Sequence, residues 1–176
     1  MNIINYDINT STISVSSTGD LSALTIPQYQ LILIDQLDNQ TTAYIFNNYP
    51  QSKQLSDHVD LQFWGGWLQN YNTAYTTQYV YTTVYSNAYK VATSQTSFQT
   101  VISSFPTVEQ AAWAHMISAA IRIGWVQTVK EVYTNEYNNI INQTTISDLE
   151  NIDVSSVTYP LFINISTLTT SVSATG

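Results

Sequence analysis

The chain has 176 residues, enough for one domain with its own core, and no cysteine, which excludes disulfide scaffolds and thiolate zinc sites. Charged residues make up 9%, against about 25% in an average soluble domain, and Ser, Thr, Asn and Gln fill 72 of the 176 positions instead. The four cations, Lys53, Lys90, Arg122 and Lys130, stand singly against 12 acids for a net charge of -8, so the chain carries no electrostatic footprint for nucleic acid.

The pattern predicts a single α+β domain, residues 1–176, in three parts. Residues 1–50 read as strands and turns. Ser11 to Ser17 alternates, with Ile13 and Val15 on one face. Tyr29 to Asp35 is a continuous apolar run after Pro27, suited to a buried strand. Asp38-Asn39-Gln40 reads as a turn, and Thr41 to Phe46 is β-prone. Gln30–Ile34 and Thr42–Phe46 are therefore expected to pair as a hairpin.

Residues 56–142 read as a helical hairpin or small bundle. Ser56-Asp57 is the expected N-cap. Leu61, Trp64, Leu68, Tyr71, Tyr75 and Tyr79 follow at spacings of three and four, and Tyr81, Tyr85 and Tyr89 form a second row. Gly65-Gly66 opposes a helix there by roughly 2 kcal/mol. Thr107 with Gln110 matches a capping box, so the next helix should run from Val108 to about Ile141. Its segment Ala111 to Val126 is apolar nearly all round, which predicts the most buried element, with Ala112, Ala119, Ala120 and Gly124 admitting a close neighbour. That segment contains His115 and Arg122 and is too short to span a membrane. Residues 157–172 return to strand character, with Leu161, Ile163 and Ile165 facing one way and the last residues frayed. The N- and C-terminal strands are expected to form one sheet; a mainly α fold is the alternative.

Few groups bear chemistry. His58 and Asp60 with Asp57 could share a metal, but acids at a helix start also favour the macrodipole, so no metal or other cofactor is expected. His115 reads as a core histidine, or one facing the bundle surface, before a general base. Arg122, if buried, must be paired, with Glu109, Glu131 or a C-terminal carboxylate as partner. There is no nucleophile elbow and no glycine-rich phosphate loop, so an enzyme is not expected. The residues singled out are Trp64, Trp67, Tyr71, Tyr75, Tyr79, Tyr81, Tyr85 and Tyr89. They suit a core face, a subunit interface or a stacking surface for a host glycan. N-x-[ST] sequons at Asn9, Asn39, Asn142 and Asn164 occur at about the chance rate.

The N-terminus, MNIINYDINT, shows no secretory signal, yet the composition suits work outside a cell. Asn, Ile and Tyr are abundant, as AT-rich coding would give, but lysine is rare. Neutral polar residues serve well in strong acid, where ion pairs built on carboxylates fail. Once its acids protonate, the chain's charge would move to about +6. A phage or surface protein with a polar surface is the other reading. This uncharged, Tyr- and Thr-rich, cysteine-free profile resembles virion and surface proteins of crenarchaeal viruses and their acidophilic hosts. The resemblance is compositional over the whole chain, without a family motif. It implies a virion or extracellular coat, tail or filament component that self-associates or joins other virion proteins, with an adhesin-like module for a host glycan or pilus as the alternative.

Overall fold

The computed structural model describes residues 4–7, 12–15, 24–91 and 94–165. In chain order come a two-stranded antiparallel hairpin, β1 (Ile4–Asp7) and β2 (Thr12–Val15), and then six helices among the described residues. These are α1 (Ile26–Asn48), α2 (Gln51–Tyr71), α3 (Thr77–Val91), α4 (Gln95–Ser103), α5 (Gln110–Ile141) and α6 (Ile146–Glu150). The α+β expectation is thus corrected: the mainly α alternative holds, and the described part of the expected sheet is only the small β1–β2 hairpin. Strand β2 falls where Ser11 to Ser17 alternates.

The largest correction is α1, which replaces the hairpin expected from Gln30–Ile34 and Thr42–Phe46. Leu33, Leu37, Thr41 and Ile45 are all buried and recur at a spacing of four, one face of a helix. The contiguous run Leu31 to Ile34 had hidden that row. The start is also written locally. Gln28 Oε1 accepts from the Thr25 backbone N–H at 3.0 Å, and Pro27 sits in the first turn. Asp38-Asn39-Gln40 is helix and not turn, with Asn39 Nδ2 donating back to Asp35 at 3.2 Å. Pro50 ends α1 because the residue before proline avoids helical torsions, and Pro50 itself then opens α2.

Helix α2 therefore starts five residues before the expected Ser56-Asp57 cap, and Asp57 lies inside it. Helix α5 begins at Gln110, not Val108. The Thr107–Gln110 box is not made; Gln110 Nε2 donates to the Phe105 carbonyl instead, and Pro106 and Thr107 close a turn. From Ala112 to Arg122 every residue of α5 except His115 is buried, as an apolar stretch without a polar face requires. The close approach falls at Gly65 and not at Gly124. A Cβ on Gly65 would sit 3.2 Å from Met116 Cε, whereas one on Gly124 would meet nothing within 4 Å.

Residues 157–165 form no strand. Leu161 is exposed, Ile163 half-buried and Ile165 buried, so the three do not share a face. The backbone here bonds to side chains: Trp125 Nε1 donates to the Pro160 carbonyl at 2.9 Å, and Arg122 Nη1 to that of Ile165 at 3.2 Å. Pro160, without an N–H, would also weaken a ladder. The remainder of the expected C-terminal strand and tail, from residue 166, lies outside the described residues.

The chain forms two compact units, residues 1–44 with 130–159 and residues 45–129 with 160–176. The first packs Leu33, Leu37, Ile140, Leu149 and Val154 together. There Gln30 Nε2 donates to the carbonyls of Ile140, Ile141 and Gln143, closing the end of α5. Tyr159 packs its ring on Tyr44 at 4.9 Å and shares a 2.6 Å hydrogen bond with the Thr41 hydroxyl. The second unit is larger and is built on Leu61, Leu68, Val80, Val84, Phe98 and the buried run of α5. No described helix is long and apolar enough to cross a membrane.

Candidate functional site

The polar centre of the second unit is Asp57, with no exposed surface. Arg122, also buried, donates from Nε to Oδ2 at 2.6 Å and from Nη2 to Oδ1 at 2.7 Å. The Tyr49 hydroxyl donates to Oδ2 at 2.7 Å, and Lys53, one helical turn before Asp57, reaches Oδ1 at 2.9 Å. Arg122 gives two further donors to the Ile165 carbonyl and to Ser118 Oγ, the latter at 3.3 Å. The fork of a guanidinium matches a carboxylate at two points, which is why arginine can fill this place and lysine cannot. Among the described residues no buried side-chain nitrogen or oxygen lacks a partner.

Burial opposes ionisation of Asp57. The hydrogen bonds from Arg122, Tyr49 and Lys53, with the arginine charge, outweigh it and hold the carboxyl below its ordinary range. Burial, reinforced by the bond to Asp57, pushes the Tyr49 phenol well above its ordinary value.

The three residues of the proposed metal set point apart. Asp57 is committed to Arg122, exposed His58 bonds through Nδ1 to the Gln54 carbonyl at 2.8 Å, and Asp60 lies 3.5 Å from His115. Among the described residues no group of three or more His, Asp or Glu is placed to hold a metal. The partners expected for Arg122 are corrected likewise. Glu109 is buried but accepts from Trp113 Nε1 at 3.0 Å and from the Tyr75 hydroxyl at 3.1 Å, and Glu131 is exposed. The expected rule, that a buried arginine must be paired, named the need but not the partner.

The aromatic residues divide by depth. Trp64, Trp67, Tyr75 and Tyr81 pack against the core, whereas Tyr71, Tyr79, Tyr85 and Tyr89 are exposed. Trp64 stacks on the His115 ring at 5.1 Å, and Trp67 on Tyr71 at 5.1 Å and 7° between planes. Tyr75 stacks on Tyr79 at 5.0 Å, and the Tyr81 hydroxyl reaches the Leu61 carbonyl at 3.4 Å. Spacing of four thus gives three separate stacked pairs, Trp67 with Tyr71, Tyr75 with Tyr79, and Tyr81 with Tyr85.

One feature escaped the sequence reading. Leu55, Val59 and Phe63 stand at a spacing of four on α2 and are 68%, 54% and 62% exposed. They lie opposite the buried row Asp57, Leu61, Gly65 and Leu68. Beside them is an open depression of about 470 Å³ lined by Gln51, Ser52, Gln54, Leu55 and His58. The signal for this ridge was present as a second apolar row, but a periodicity search assigns such rows to a core.

Chemically, the hub is closed: a ligand at Asp57 would have to displace protein donors. The exposed groups around it on α2 and α3 are mostly aromatic, aliphatic and amide. Comparison with protein-family models, curated proteins and solved structures finds no match to the chain.

Proposed function

We propose that this chain is a non-enzymatic structural component of a virion or an extracellular layer, a coat, tail or filament subunit that self-associates through polar and aromatic surfaces. The observation that carries this reading is the surface of the second unit. Leu55, Val59, Phe63, Tyr71, Tyr85 and Tyr89 are each at least half exposed in a chain with only 9% charged residues. Large apolar side chains clustered on a surface are a feature of association sites, and scarce charge removes much of the ionic cost of bringing copies together. The compositional resemblance to virion proteins of acidophile viruses points the same way. The glycan-binding alternative has less support, because Trp64 and Trp67 are half-buried and each already stacks on a neighbouring ring.

Light scattering on a size-exclusion column at pH 3 and pH 7, with mass spectrometry of purified particles, tests the proposal. Concentration-dependent oligomers and stoichiometric presence in particles are expected. A monomer at every concentration and both pH values, absent from particles, would overturn it.

A further inference from the structure

We infer that α2 is the self-association surface, and that two copies of this chain pair there across a two-fold axis passing beside Val59. This rests on the self-association reading above and names its partner as a second copy. Leu55, Val59 and Phe63 form an i, i+4 ridge facing away from the core, and the rows on either side carry Ser52, Ser56, Gln62 and Gly66, all exposed. The small Ser52, Ser56 and Gly66 leave open grooves along the ridge; a Cβ on Gly66 would meet nothing within 4 Å. Identical i, i+4 ridges interlock into such grooves at a crossing of about 50°, the commonest helix packing.

The pattern is self-complementary when reversed. With Val59 facing Val59, Leu55 meets Phe63, Ser56 meets Gln62, and Ser52 meets Gly66. Large faces large at two positions, and small faces small at the end, as a two-fold contact requires. Charge agrees. The flanking rows also hold His58, exposed, and Asp60, whose side chain is 27% exposed and lies 3.5 Å from His115; reversal about Val59 sets His58 against Asp60, and Lys53, just outside, is held by Asp57. No like charges therefore oppose the pairing, and the acid of each flank finds its counterpart on the second copy. The three ridge side chains expose roughly 300 Å² per copy, against about 800 Å² per partner in a standard interface, so the polar flanks must contribute and the dimer should be concentration-dependent.

The cysteine-free chain makes the test clean. Helices packed at 8–10 Å bring facing Cα atoms within the ~4.4–6.8 Å that a disulfide spans. Val59→Cys should oxidise rapidly to a covalent dimer, and Leu55→Cys mixed with Phe63→Cys should cross-link each other faster than either links to itself. A Ser147→Cys control, at an exposed site on α6, should not do so. Val59→Glu, with helicity checked by circular dichroism, should weaken association at least about tenfold at pH 7 and recover it at pH 3, where the carboxylates protonate. Wild-type oligomers untouched by Val59→Glu, with Val59→Cys no faster than the control, would overturn this interface while leaving self-association standing. A strictly monomeric wild type without cross-linking would overturn both.

Discussion

Arg122 of α5 and Asp57 of α2 meet at two points, Nε to Oδ2 at 2.6 Å and Nη2 to Oδ1 at 2.7 Å, across 65 positions of sequence. Each is buried, so neither charge has water to fall back on. Tyr49, Lys53, Ser118 and the Ile165 carbonyl complete the hydrogen bonding, and the pair ties α2, α5 and the segment after Pro160 into one unit.

Removing one partner should cost far more than removing both. Asp57→Leu or Arg122→Met alone strands a buried charge, and each should lower stability by about 3–5 kcal/mol. The double variant should lose much less than the sum. Urea unfolding of the four proteins, read as a double-mutant cycle, checks this; additive losses would mean that the pair is not coupled.

The pair also sets an acid limit. The Asp57 pKa lies below its ordinary range in the fold, so the unfolded chain takes up the proton first, at about pH 4. The stabilisation is therefore complete above about pH 4 and is lost as pH falls through the lower folded value. The urea midpoint of the wild type should drop in that acid window, and that of the Asp57→Leu, Arg122→Met variant should drop less.

At the alkaline end the sign reverses. Burial, then hydrogen bonding to and repulsion by Asp38, raises Tyr133 to about 12, and Tyr49 is raised by burial and Asp57. A raised phenol stabilises the fold below the unfolded value of about 10, and this is lost as pH climbs through the folded value. Phenolate absorbance should show a late-titrating component that shrinks in Tyr49→Phe and in Tyr133→Phe. Tyr49→Phe should also cost about 1–3 kcal/mol at pH 7, since it takes a donor from a buried carboxylate.

The glycines should part company. Gly124 lies exposed in α5 with open space beside it, so Gly124→Ala should stabilise by nearly 1 kcal/mol through helix propensity. Gly65→Ala should gain less, because its methyl group presses the end of Met116 at 3.2 Å, and Gly65→Leu should destabilise. Thermal or urea midpoints of the three variants check the order.

Legibility followed the range of the interactions involved. The helix ending at Ile141 was readable because its apolar stretch and its length act within one element. The tyrosine rows also proved helical, apart from the turn between Tyr71 and Thr77, because spacing of four survives unfavourable Thr and Val content. Helix α1 is announced only by Thr25, Pro27 and Gln28, since its run of Leu and Ile satisfies a strand and a helix equally well. The capping pattern occurs at both Thr107 and Thr25, and only at Thr25 is the side-chain bond, to Gln28, made.

Composition was sufficient for a chain without thiol chemistry, poor in charge and rich in aromatic and amide contacts, because those properties depend only on which residues are present. Periodicity was sufficient for the central helix. The partner of Arg122 was settled only by folding, since a carboxylate's burial depends on which helices pack around it. The same holds for residues 157–165, where carbonyls of a β-prone segment take side-chain donors from α5 and not a strand partner. The exposure of Leu55, Val59 and Phe63 belongs to this second kind. An apolar row looks alike in any sequence, and only the packing of Leu61, Gly65 and Leu68 on the opposite face turns it outward.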